Sequence, residues 1–362
     1  MIISNYFNKN DNDTNNKLIS YFNDLNNGIK LKRDDFLYIL DNINDEVFSV
    51  LQSLAYQKRK LIYNDSVFIR GLIEISNYCK KDCYYCGIRK SNLTAHRYRY
   101  DKNKIYEIVT YAYQRGYRTI VMQGGEDDYY TKELLEEIIG KIRNDYPDVA
   151  ITLSLGEKDY DTYQALFRAG ANRYLLRHES ASKKHYEKLH PSFMSFDNRM
   201  QCLNDLKKIG YQTGAGLMVG SPFQTNDDLV EDLLFLQEFQ PQMIGIGPYL
   251  RHHATPFKDM SNGKLEHVLV MYALARLIVP HALLPSTTAT SSLDKTGRLK
   301  ALLSGCNVIM INLSDIDKRK SYTLYENKSY QGDESDEFIE LIKKDIEQAN
   351  MKIDFSIGNY RK

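Results

Sequence analysis

VFIRGLIEIS (67–76) is a run of mostly apolar, β-branched or leucine side chains, and NYCKKDCYYC (77–86) follows it directly. A short run of this kind between polar flanks reads as a strand buried on both faces. Seven more follow: RTIVMQ (118–123), VAITLSLG (149–156), RYLLRH (173–178), GAGLMVG (214–220), QMIGIGP (242–248), HALLPSTTA (281–289) and NVIMIN (307–312). Amphipathic helices lie between them, among them KNKIYEIVTYAYQRG, TKELLEEIIGKIRNDY, FDNRMQCLNDLKKIG and NDDLVEDLLFLQEF, with apolar residues three and four apart. Several end in glycine, at Gly116, Gly170, Gly210 and Gly305. Eight strand–helix units over about 250 residues predict an α/β fold of the closed (β/α)8 type. A doubly wound open sheet is the alternative.

Upstream, KLISYFNDLNN, DDFLYILDN and DEVFSVLQSLAYQKRKLIYN carry helical periodicity, the third with Asp45 as its expected N-cap. The expected organisation is a helical extension (1–66), the barrel (67–330) and a helical tail (331–362) built on DESDEFIELIKKDIEQA. The polar start, MIISNYFNKNDNDTNNK, reads as a frayed terminus without a signal core.

The 362 residues are 43% hydrophobic and 26% charged, with a formal net charge of +1. This composition is ordinary for a globular protein and favours neither nucleic acid nor an anionic membrane as partner. No apolar run reaches the roughly 18 residues of a membrane span. The cytoplasm is the expected location. Five cysteines, three of them within eight residues, do not make a disulfide framework and point to metal instead. Cys202 and Cys306 stand alone and read as buried small hydrophobes.

Cys79, Cys83 and Cys86 form C-x3-C-x2-C on the loop after the first strand. Chemistry in such barrels sits at the C-terminal strand ends. Thiolates are soft ligands for iron–sulfur clusters or zinc. Three of them leave one iron of a four-iron cubane open to chelate another molecule. A structural zinc site completed by His96 is the alternative.

On these residues the chain resembles the radical-SAM enzymes, Tyr85 matching the aromatic position just before their third cysteine. The resemblance implies one 4Fe–4S cluster that binds S-adenosylmethionine and reduces it to a 5′-deoxyadenosyl radical. Gly124, Gly125 and Glu126 resemble the family's GGE motif, where close backbone approach and a carboxylate receive the amine. Ser154 and Glu179 fall at strand ends, Glu179 positioned for the ribose or the amine. Arg199 would fork onto the carboxylate, and Met243 would pack on adenine.

Within that superfamily, FIRGLIEISNYC (68–79), CGIR (86–89), TLSLGE (152–157), RYLLRHES (173–180), MIGIGPY (243–249) and LPSTTA (284–289) resemble the iron–iron hydrogenase maturases of the HydE family. That resemblance implies a small organometallic substrate, an iron–cysteine complex bearing CO and cyanide. It also implies other hydrogenase maturases and an electron donor such as ferredoxin or flavodoxin as partners. The implied substrate wall is Arg70, Gln123, Thr152, Arg177, Pro285, Thr287, Thr288, Met310, Tyr322 and Tyr325. Some members carry a second cysteine cluster near the C-terminus; residues 307–362 here contain no cysteine. Biotin-synthase-like sulfur donation would need cysteines on inner strands, and RTIVMQ, VAITLSLG and GAGLMVG have none. A methylornithine-synthase-like mutase acting on lysine and a non-catalytic cluster carrier are the other readings.

Overall fold

The computed structural model describes residues 13–328 and 336–361. The expectation of a frayed start therefore lies largely outside the described residues. Eight strands run β1 Ser66–Ser76, β2 Thr119–Gly124, β3 Ala150–Ser154, β4 Arg173–Leu175, β5 Gln212–Val219, β6 Met243–Pro248, β7 Val308–Asn312 and β8 Lys352–Asp354. Seven follow one another in the order β6-β5-β4-β3-β2-β1-β7, every neighbour parallel.

The gap between β6 and β7 is filled by residues 282–286. Leu283 N donates to Gln242 O at 2.9 Å, Ile244 N to Leu283 O at 3.1 Å and Ser286 N to Val308 O at 2.9 Å. The ring is closed, as expected for a (β/α)8 barrel. The strand expected at 281–289 is reduced to two single bridges, Met243 with Leu283 and Pro285 with Val308. Pro285 has no N–H to extend a ladder, and Leu284 N is taken by the side chain of Asn307.

The helical extension comprises Asp13–Asn26, Arg33–Asn42 and Asp45–Tyr63. Its third helix is capped by Asn44, whose side chain accepts from Val47 N at 3.1 Å. The cap is thus one residue before Asp45; Asp45 sits in the first turn, where its charge favours the helix dipole. The extension packs on Leu265–Ile278, a helix buried on nearly every side. A helix apolar all round needs cover on both faces, and the extension supplies the outer one.

The tail is not wholly helical. After Asp336–Gln348 the chain forms β8 beside the start of β1, pairing Ser66 with Lys352 and Phe68 with Asp354. Residues 355–361 then cross under the N-terminal strand ends. Thr119 Oγ1 donates to Ile357 O at 2.8 Å and Arg361 Nη1 to Ile62 O at 3.0 Å. Gly358, at φ +57°, lies so close to Phe68 that a Cβ would sit 2.5 Å from its ring. The three-residue strand escaped the sequence reading because KID is too short to show a period.

Candidate active site

The cysteine loop is held rigidly. Arg97 donates to the carbonyls of Asn77, Ile88, Arg89 and Asn92 at 2.5–3.0 Å. Asp82, between the first two cysteines, takes both Arg89 Nε at 2.8 Å and Arg89 Nη2 at 2.5 Å. Gly125 explains itself here: a Cβ would lie 2.1 Å from Tyr78 O and 2.8 Å from Cys79 Cβ. The glycine of the GGE motif therefore makes room for the cysteine loop itself.

Together these elements enclose a chamber of about 290 Å³ at the C-terminal strand ends. Its wall holds Cys79, Cys83, Cys86 and Tyr85 from the loop, Gln123 and Gly124 from the end of β2, and Gly125 and Glu126 just after it. Ser154, Arg177, Glu179, Arg199, Thr287, Tyr322 and Tyr325 complete the expected residues on it.

Burial, reinforced by the neighbouring cysteines, pushes the Cys83 thiol well up and that of Cys86 to about 12. Left to themselves these groups stay protonated, and metal must displace the protons. The backbone N–H of Glu126 points at Cys79 Sγ, 3.4 Å away. Among the described residues no three His, Cys, Asp or Glu side chains converge as ligands of a single metal ion. All three cysteines line the one chamber, as the three ligands of a single cluster would, each to its own iron. His96 lies in a separate outer groove with His252 and His253.

Beside the loop lies a buried group of two cations and two anions that sequence reasoning found only in part. Lys81 Nζ meets Glu157 Oε2 at 2.7 Å and Glu126 Oε2 at 3.6 Å. Arg199 Nε meets Glu157 Oε1 at 2.6 Å, and its Nη1 donates to Arg177 O at 2.8 Å. Burial pushes the Glu157 carboxyl up, but Arg199 and Lys81 outweigh it and hold it below its usual range. Glu126 is raised by burial. Gly156, at φ +73°, leaves the space that the Glu126 carboxylate fills. Lys81 and Glu157 stood in the quoted motifs; their strand-end and loop positions were the available signal.

Glu179 adopts φ +66°, an unusual left-handed conformation for a glutamate. Its neighbour His178 turns outward: Nδ1 accepts from Gly216 N at 3.2 Å, so Nε2 carries the proton toward Asp232 at 3.0 Å. That anchor turns Arg177 and Glu179 inward, where they pair at 3.0 Å. Tyr85 is fixed likewise. His190 Nδ1 must donate to the Tyr186 carbonyl at 2.8 Å, so Nε2 accepts the Tyr85 hydroxyl at 3.2 Å.

Below the chamber the charge balance changes. Arg70 is fully enclosed, its Nη1 3.5 Å from Met243 Sδ, and its Nε and Nη2 have no partner. Arg173 bonds the floor segment through Nη2, at 2.9 Å to Asn359 Oδ1, while Nε and Nη1 have none. Thr152 Oγ1 is also buried and unpaired. Burial and the nearby Arg173 charge push the Arg70 guanidinium well below its usual value. Arg173 was missed, although Arg173, Leu175 and Arg177 alternate with period two and so share the inward face.

Met243 is a correction. It begins β6 at the floor end, in a cluster with Tyr63, Phe68, Leu283 and Val308, and its sulfur faces Arg70 rather than an adenine pocket. Met310 on β7 is Arg70's register partner, Pro285 sits at the strand seam, and Thr288 is exposed at the start of its helix. None of these three lies on the chamber wall.

A family model, the Radical SAM superfamily, matches residues 73–236. The chain belongs to this superfamily. It is 43% identical over 312 residues to the FeFe hydrogenase maturase subunit HydE of Thermotoga maritima, covering 86% of this chain and 89% of that one. The chain belongs, within the superfamily, to the HydE family of hydrogenase maturases. A 3-methylornithine synthase of Methanosarcina acetivorans is 26% identical over 90% of the chain and 91% of its own. In fold, the crystal structure of methylornithine synthase PylB has a TM-score of 0.79 at 23% identity, over 92% of this chain and 97% of that one. The maturase HydG has 0.78 at 16%, over 96% and 78%. No helix among the described residues is long and apolar enough to cross a membrane.

Proposed function

We propose that this radical-SAM maturase acts on an anionic iron–cysteine complex bearing CO and cyanide, as a step in building the dinuclear iron site of a hydrogenase. When bound, the 4Fe–4S cluster supplies the electron that splits S-adenosylmethionine into methionine and a 5′-deoxyadenosyl radical. Cys79, Cys83 and Cys86 would hold the cluster. Glu126, Glu179, Ser154 and Arg199 would hold the zwitterionic and ribose parts of S-adenosylmethionine, with Gly124, Gly125 and Tyr85 shaping the wall. Residues 67–330 form the catalytic barrel on this reading, 1–66 its support and 331–362 its tail and floor.

The observation that carries the substrate class is the pair Arg70 and Arg173, buried together with unpaired N–H groups. Arg59 is also buried without hydrogen bonds, but it lies over the Tyr56 ring and near Asp65. Arg70 and Arg173 have no carboxylate against them among the described residues. An anion bearing cyanide supplies the missing charge and acceptors. Lysine, the mutase's substrate, would add a third cation, and like charges in a low-dielectric site repel strongly. A mere cluster carrier needs no such chamber.

Arg177, Gln123, Thr287, Tyr322 and Tyr325 would contact the complex from the chamber wall, with Thr152 toward the floor. Another maturase would supply the complex, and a ferredoxin or flavodoxin the electron. Five free thiols and reductive chemistry favour the cytoplasm. The test is anaerobic activation of apo-hydrogenase with the purified protein and the synthetic complex. Hydrogen evolution that depends on both is expected; activation unchanged by omitting the protein would contradict the reading.

A further inference from the structure

One buried ion pair, Glu74 with Lys328, lies outside both the cysteine loop and the residues that line the chamber. Glu74 lies on β1, facing inward and 1% exposed. Lys328 Nζ donates to its Oε1 at 2.6 Å and to the carbonyl of Tyr322 at 2.9 Å. The same ammonium lies 4.7 Å from the centre of the Tyr322 ring. Gln123 Nε2 donates to the Tyr322 hydroxyl at 3.3 Å. A continuous chain thus runs from Glu74 through Lys328 and Tyr322 to Gln123, and its last two members line the chamber.

Residues 322–328 form a strap over the barrel mouth. Gly87 N donates to Leu324 O at 2.8 Å, and Glu326 N to Arg251 O at 2.9 Å. Tyr325 lines the chamber on one side and an outer groove of about 400 Å³ on the other. The strap is therefore the wall between the two.

Stability does not account for the pair. Desolvating two charges costs about as much as their attraction returns, so an apolar pair would leave the fold about as stable, but without the bond from Lys328 Nζ to the Tyr322 carbonyl that sets the strap. Glu74 Oε2 is in addition buried and unpartnered. What an ion pair adds is a unique geometry that two charges can leave together when water enters.

We propose that Glu74 and Lys328 are positioning residues that latch the strap, fixing Tyr322 and Tyr325 on the chamber wall and sealing the substrate from the outer groove. The inference rests on reading the chamber as the site of an iron-complex substrate. A loosened strap lets S-adenosylmethionine be cleaved while the complex is poorly held.

The test compares the reconstituted full-length protein with Lys328→Met, Glu74→Gln and Lys328→Arg. Iron content should match the parent in all three; the melting temperature should match it in Lys328→Arg and fall in Lys328→Met and Glu74→Gln, which each leave one buried group without its partner. In Lys328→Met and Glu74→Gln, KM for the synthetic complex should rise about tenfold, with more 5′-deoxyadenosine formed per hydrogenase activated. Lys328→Arg should return both toward the parent. Should Lys328→Met not fold, the double variant Glu74→Leu with Lys328→Met, which buries no charge, is expected to fold and show the same KM. Hydrogen exchange at the Gly87 and Glu326 amides, measured without substrate, should quicken in Lys328→Met. That readout stands even if the parent ignores the complex, which would overturn the substrate reading alone. Unchanged KM and exchange in Lys328→Met would overturn the latch. So would equal loss of cluster and S-adenosylmethionine cleavage in Lys328→Arg, which marks a structural role only.

Discussion

At the mouth of the barrel Lys81 and Arg199 face Glu126 and Glu157; toward the floor Arg70 and Arg173 face no carboxylate among the described residues. The mouth is balanced, two charges against two. A zwitterion, with one amine and one carboxylate, can exchange partners with such a group without changing its net charge. The floor is unbalanced, and only a ligand that brings negative charge corrects it. Arg276 shows what a structural buried arginine looks like in the same protein. It donates to the carbonyls of Gly305, Pro280 and Ala282 and to Asn307 Oδ1, at 2.7–3.1 Å. Arg70 has no such set, so its charge is held for something else.

The largest expected effect removes what both regions serve. Cys83→Ala should abolish cluster binding, read as iron content and visible absorption, and with it all 5′-deoxyadenosine formation. Retained cleavage would leave the mouth without its reason.

Next comes the floor. Arg70→Met should lower hydrogenase activation by about ten- to a hundredfold, the loss of a charge-assisted hydrogen bond. 5′-Deoxyadenosine should still form. The melting temperature should rise rather than fall, because an unpaired buried charge has gone. A drop in melting temperature would show that Arg70 is satisfied as it stands, and the contrast between floor and mouth would disappear.

At the mouth, Glu157→Gln leaves Lys81 and Arg199 with one carboxylate. KM for S-adenosylmethionine should rise about tenfold with kcat nearly kept, the signature of lost uniform binding. Equal effects on KM for the iron complex would blur the division of labour. The smallest effect is expected at the floor's underside. Asn359→Ala removes one acceptor of Arg173 and should cost about 1 kcal/mol in denaturant unfolding, leaving S-adenosylmethionine cleavage unchanged.

The eight-fold alternation was legible because parallel strands buried on both faces leave long apolar runs, VFIRGLIEIS above all. The cysteines were legible because spacing within one loop is local. The seam at Pro285 was harder: HALLPSTTA has strand composition, yet a proline and the competing Asn307 side chain cut its ladder to single bridges. Met243 was misplaced against the barrel's own rule: it opens QMIGIGP, whereas the chemistry sits at the C-terminal strand ends. Glu157, Arg173 and the Glu74–Lys328 pair depend on partners far apart in sequence; Glu74 and Lys328 are 254 residues apart. Only the closed barrel brings them together, so single-residue reading gave them no weight. Arg173 had a local signal in its period-two relation to Arg177, and Glu157 one in its place just after a strand.

The most direct test is the rate of 5′-deoxyadenosine formation by the reduced, reconstituted protein with S-adenosylmethionine, measured with the synthetic iron–cysteine complex and, separately, with lysine. Acceleration by the complex and none by lysine is the expected result, because the floor's charge calls for an anion. Acceleration by lysine, with the complex inert, would contradict it.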